Sequence, residues 1–141
     1  MGEEISATGF TSEDRAQFAR RLAHETAHVR RLFETNGFAQ SDHMIGFEIE
    51  TWIVDHNYFP APVNTQLLAA LNDPLVVPEL SRFNLEFNCA PLPLSGEALA
   101  QAHDAFVDIW RRCNAVTHRL DAGLVMIGTL PTIRDADMSY D

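Results

Sequence analysis

The run Ile45-Gly46-Phe47-Glu48-Ile49-Glu50-Thr51-Trp52-Ile53-Val54-Asp55 sets two carboxylates inside an apolar, β-branched stretch. Such residues favour a strand, whose side chains alternate between faces. Glu48 and Glu50 then point the same way, with Cα atoms roughly 7 Å apart. Two like charges on one face repel, and they are costly to desolvate unless a cation or strong donors lie between them. A metal-binding strand over about residues 43–54 is the expectation, rather than a purely structural one.

Residues Arg82–Cys89 alternate in the same way, with Phe83, Leu85, Phe87 and Cys89 on an apolar face and Arg82, Asn84, Glu86 and Asn88 on a polar one. If both strands belong to one sheet, their apolar faces share the helix-covered core. The polar faces then coincide, which gathers Glu48, Glu50 and Glu86 over a common surface. Hard cations such as Mg²⁺ take oxygen ligands of this kind, usually together with substrate phosphates. Arg82 could clamp a phosphate or carboxylate through two parallel hydrogen bonds. The alternative from pattern alone is a solvated sheet face with Arg82 paired to a glutamate.

Helical signals surround these strands. Thr11 or Ser12 can cap a helix with Glu13 and Asp14 in its first turn, carrying Phe18, Leu22, Val29, Leu32 and Phe33 at helical spacing and stopping near Gly37. Residues 55–64 read as a loop, a short helix is expected over Thr65–Leu71, and Asn72-Asp73-Pro74 ends it. Pro91 and Pro93 end the second strand. Ser95 can cap a long helix bearing Leu99, Ala102, Phe106, Ile109, Trp110, Cys113, Val116 and Leu120, and Leu124–Thr129 reads as a third strand. The expected class is α+β, a mainly antiparallel sheet covered by long helices on one face. Residues 1–10 are expected to be a flexible N-terminus, 11–134 a single domain and 135–141 a flexible tail.

Composition excludes several functions. The net charge of −10 leaves no cationic excess to replace the counterions of a nucleic acid. All ten basic residues are arginines, so Schiff-base chemistry and a Walker A loop are excluded within the chain. No apolar run approaches the roughly 18 residues that span a bilayer, so no membrane partner is expected. Met1-Gly2-Glu3-Glu4-Ile5-Ser6 fits the myristoylation pattern formally, but its acids oppose an anionic membrane surface. Cys89 and Cys113 lack metal spacing and read as reduced packing thiols of a cytoplasmic protein.

His24-Glu25-Thr26-Ala27-His28 fits H-E-x-x-H, in which two histidines one turn apart bind zinc and the glutamate activates water. Here His24 falls nearly opposite the apolar stripe of its helix, between arginines 20, 21, 30 and 31. A solvated helix face accounts for the motif, and a zinc hydrolase stands as a further alternative.

Three blocks carry a family resemblance. Gly46-Phe47-Glu48-Ile49-Glu50 resembles the G-x-E-x-E strand of the glutamate–cysteine ligase family of ATP-dependent carboxylate–amine ligases. Pro78-Glu79-Leu80 with Asn84-Leu85-Glu86-Phe87-Asn88 is similar to the family's E-L-(x)5-E segment, and Gly128-Thr129-Leu130-Pro131 resembles its G-T-x-P turn. The resemblance implies a glutamine-synthetase-like catalytic fold, with an antiparallel sheet over ATP and Mg²⁺. It implies metal ligands at Glu48, Glu50 and Glu86, with Glu79 near the same site; Arg82, Asn84 and Asn88 share that face as candidate cofactor-binding residues. The implied reaction activates a γ-carboxylate as an acyl phosphate for attack by an amine, as in glutathione-type biosynthesis. Phe83, Cys89 and Leu130 stand where the family often has Ser, Thr and His, which bears on substrate identity more than on the metal.

Family members run to several hundred residues, so the resemblance implies an N-terminal part, incomplete alone, with nucleotide-clamping segments beyond Asp141. Truncation would uncover apolar surface and favour association with another copy, as a homo-oligomer, or with the missing half. A catalytically silent binding or assembly module of the same fold is the second alternative.

Overall fold

A computed structural model of the chain describes residues 9–38 and 43–138. The formal myristoylation pattern lies outside the described residues, as do most of the expected flexible N-terminus and residues 139–141 of the expected tail. The chain divides into two compact units, residues 1–42 and 43–141.

The first unit holds helix α1, Ser12–Glu34. Thr11 caps it through a capping box: its hydroxyl accepts from the Asp14 amide, and the Asp14 carboxylate accepts from the Thr11 amide at 2.8 Å. The Thr11 hydroxyl also donates to the Asp14 carboxylate at 2.6 Å, and this bond first, then the Thr11 amide, holds the Asp14 carboxyl below its ordinary value. The apolar stripe read from the sequence is present, but α1 buries none of its residues.

The second unit is α+β. Its strands and helices run β1 (Met44–Ile45), β2 (Glu48–Val54), α2 (Asn64–Leu71), β3 (Val76–Pro78), β4 (Asn84–Asn88), β5 (Leu92–Pro93), α3 (Ala98–Thr117) and β6 (Gly123–Val125). A four-stranded antiparallel sheet has the order β3-β4-β2-β6, and β1 pairs with β5 in a separate two-stranded sheet. Period-two alternation aims Ile53, Leu85, Phe87, Val76 and Leu124 at one face, where they form one core with Leu67 of α2 and Ile109, Cys113 and Val116 of α3. The Phe87 ring meets Trp110 edge-on at 6.4 Å. Burial pushes the Cys113 thiol up to about 12, which makes it an inert packing residue.

Several sequence expectations change. The single strand over 43–54 is interrupted at Gly46-Phe47, and β1 leaves β4 to pair with Leu92-Pro93. Pro91 lacks an N–H, so the β4 ladder cannot continue through it. Ser95 is not the side-chain cap of α3: the helix begins at Ala98 after Glu97, which makes no side-chain cap bond. The third strand is shortened to Gly123–Val125, freeing residues 126–129 for the loop that carries Gly128 and Thr129. Asp135–Met138 forms a 3-10 turn. Helix α2 ends as expected at Asn72, whose left-handed backbone (φ 50°) suits asparagine.

An ion-pair junction at the surface ties α2, β3 and α3 together. Asp73, just after α2, accepts from the Leu75 amide at 2.9 Å and pairs with Arg112, which also holds Asp108 at 2.8 Å. Burial pushes the Asp73 carboxyl up, but the Leu75 amide and the Arg112 guanidinium outweigh it and leave it below its ordinary value.

Candidate functional site

The face of the sheet opposite the core carries the acids. In the β2–β4 ladder Glu48 opposes Asn88, Glu50 opposes Glu86, and Trp52 opposes Asn84. Glu50 and Glu86 are thus direct cross-strand partners on one face, the closest approach that an antiparallel register allows. On the other flank of β4, Val77 opposes Glu86, and Glu79 lies two residues further on. Alternation returns Glu79 to the same face, near enough to Glu50 and Glu86 for both to push its carboxyl up.

The solvated face that stood as the alternative is not observed at the middle of β4: Glu86 is only 3% exposed and Asn84 only 6%. β4 is a central strand, flanked by β2 and β3. Glu86 accepts from the Asn88 amide at 2.8 Å, and Asn84 accepts from the Ser81 amide at 2.9 Å and from the Ser81 hydroxyl at 2.7 Å. Both amides therefore brace the site from within. Arg82 is exposed, and its carbonyl accepts from the Asn64 amide at 3.1 Å.

Beside these acids lies a cleft of about 410 Å³, lined by Glu50, Trp52, Glu79 and Asn84 from the sheet side and by Gly128, Thr129, Ile133, Asp137 and Met138 from the chain after β6. The opposing segment is pinned at several points. The Trp52 indole donates to the Ile127 carbonyl at 3.0 Å, Leu130 is buried, and the Thr132 hydroxyl donates to the Tyr58 carbonyl. Arg134 lies over the Phe59 ring at 4.8 Å and pairs with Asp137 at 3.1 Å. Glu48 lies at the other end, lining a separate cleft with Gly46, Asn88 and Cys89.

The structure thus brings Glu50, Glu79 and Glu86 together, with Asn84 and Asn88 around them, and sets Glu48 one cross-strand pair further along. Trp52 and Asp137 were not singled out from sequence. The alternation that aligned Glu48 with Glu50 extends to Trp52, whereas nothing local signals Asp137. Among the described residues, no three His, Cys, Asp or Glu side chains close into a ready-made metal cage. His24 and His28 sit on exposed α1 and gain no third ligand among the described residues.

Electrostatics separate Glu79 from its neighbours. Burial pushes its carboxyl up, and the neighbouring Glu86 and Glu50 carboxylates add to this against the Leu80 amide. Because the folded chain holds that proton more tightly than the unfolded chain, the associated stability is present below the ordinary value of 4.5 and is lost as pH rises through the folded value. Asp73 and Asp137 are depressed, so their contributions are present above 3.8 and are lost as pH falls through the folded values. Urea midpoints of the metal-free protein should therefore decline with pH above 4.5, and Glu79→Gln should flatten that limb while sparing the acid limb below 3.8. An unchanged decline in Glu79→Gln would remove Glu79 as its source.

The chain matches no protein-family model, no curated protein and no solved structure. No helix among the described residues is long and apolar enough to cross a membrane.

Proposed function

We propose that residues 43–138 form part of the catalytic sheet of an ATP- and Mg²⁺-dependent carboxylate–amine ligase resembling glutamate–cysteine ligase, with a glutamine-synthetase-like fold. One observation carries the reading: Glu50 opposes Glu86 across the ladder, and Glu50 and Glu79 line a cleft that also holds Gly128 and Thr129. Segments far apart in sequence converge there, as a shared site requires.

The donor set fits a hard cation. Every candidate ligand is a carboxylate oxygen, and Mg²⁺ is usually held by one or two carboxylates, waters and substrate phosphates rather than by an all-protein cage. Glu50 and Glu86 would hold it, with Glu79 and Glu48 as flanking carboxylates. When bound, Mg²⁺ neutralises nucleotide phosphate charge and favours phosphoryl transfer to a γ-carboxylate, whose acyl phosphate an amine then attacks. The chain's own groups act by positioning. Asn88 orients the Glu86 carboxylate, Asn84 braces the turn before β4, and Trp52 and Ile133 wall the cleft against water. Arg82 supplies a cation for an anionic substrate group at the start of the strand. Small-molecule substrates, a cytoplasmic setting with both cysteines free, and self-association belong to the same proposal.

Calorimetry tests the reading. Mg²⁺–ATP is expected to bind, and Glu50→Gln to weaken binding at least about tenfold, since a lost supporting contact alone costs about 10–100-fold in metal affinity. Inertness towards Mg²⁺–ATP and zinc would favour a catalytically silent binding or assembly module. Zinc binding that disappears in His28→Ala would favour the hydrolase.

A further inference from the structure

We infer that the cleft between β2 and the 128–138 segment selects an amine that has an apolar body and no carboxylate, which would make it the acceptor of the proposed ligase. The role as acceptor rests on the ligase reading; the binding preference rests on the cleft. At about 410 Å³ it suits a small molecule.

One wall is apolar, formed by Trp52, Ile133 and Met138. The Trp52 ring is locked on both counts that matter, stacked on Phe83 at 6.0 Å and hydrogen-bonded through its indole N–H to Ile127. A fixed aromatic plane gives contact area at little entropic cost.

The charged groups lining the cleft are all acidic, and with Asp137 already paired to Arg134 it is Glu50 and Glu79 that can meet an ammonium group. None of its lining residues is basic, and the whole chain carries −10. An ammonium group is attracted here. A carboxylate meets no lining counter-charge and is repelled by its neighbours. An α-amino acid brings that carboxylate with its amine, whereas an arylalkylamine brings an ammonium group and a flat apolar body. Charge selects the amine, and the Trp52 wall selects its body.

The test titrates the metal-free chain with phenethylamine, phenylalanine and methylamine by calorimetry. Phenethylamine is expected to bind at least about tenfold more tightly than methylamine, because burying one large apolar group is worth about 1.5–3 kcal/mol, or about ten- to a hundredfold, and several-fold more tightly than phenylalanine, whose carboxylate the acidic lining repels. Met138→Ser, at an exposed position where folding is not at stake, and Trp52→Ala should each weaken phenethylamine several-fold and leave methylamine unchanged. Phenylalanine or methylamine binding as tightly as phenethylamine would overturn the inference, as would indifference of phenethylamine to both variants. A separate Mg²⁺–ATP titration keeps the two readings apart. ATP binding without the amine preference overturns this inference alone, and the amine preference without ATP binding overturns the ligase reading alone.

Discussion

Phe87→Ala is expected to cost about 3–5 kcal/mol of folding stability, a large fraction of the roughly 5–15 kcal/mol that holds a domain folded. Phe87 has no exposed surface, sits on the core face of central strand β4, and packs edge-on against Trp110 of α3. Truncation would remove one of the contacts between sheet and helix and leave a cavity that neighbouring side chains can fill only in part. Urea unfolding followed by tryptophan fluorescence reads the loss, since Trp110 reports on this contact. A cost below about 1 kcal/mol would mean that the sheet and α3 do not share one core here.

Glu86→Gln is expected to move function and stability in opposite directions. Glu86 faces Glu50 across the ladder and is only 3% exposed, so its charge is held against another carboxylate with little water between them. Glutamine keeps an oxygen for the Asn88 amide and removes the charge. Without metal, relief of like-charge repulsion should leave stability unchanged or raise it by about 1 kcal/mol or less. Divalent-metal affinity should fall by about 100-fold or more, because losing a supporting contact alone costs about 10–100-fold and Glu86 would be a direct ligand. A purely structural Glu86 gives the reverse, lower stability and unaltered metal binding. Paired thermal melts with and without Mg²⁺ separate the two outcomes.

Much of the sheet was legible because period two is a local signal. Alternation in Glu48–Val54 and Asn84–Asn88 fixes which residues share a face, and the helix-covered core forces the two polar faces to coincide. The register is not local. Alternation alone allows Glu86 to oppose Glu48 or Glu50, and pairing with Glu50 follows from how the chain closes between β2 and β4.

The parts that were missed depend on distant segments or on very short elements. β3 spans only Val76–Pro78 at the sheet edge, where a proline is tolerated and a three-residue strand shows almost no period. Burial of Glu86 depends on strands packed to both sides of β4, so an alternating sequence resembled a solvated face. The α1 stripe has helical spacing, yet α1 buries none of its residues, so periodicity established the helix without establishing a core contact. Asp137 reaches the cleft through a 3-10 turn and an ion pair to Arg134, neither of which has a sequence period.

Mn²⁺ titration followed by electron paramagnetic resonance probes the carboxylate cluster most directly, because bound Mn²⁺ loses the sharp signal of the free ion and takes the same oxygen ligands as Mg²⁺. The chain should bind Mn²⁺ at one site, release it to added Mg²⁺, and lose it in Glu50→Gln and in Glu86→Gln. An undiminished free-ion signal with the unaltered chain, or equal binding by both variants, would contradict a cation site built on Glu50 and Glu86.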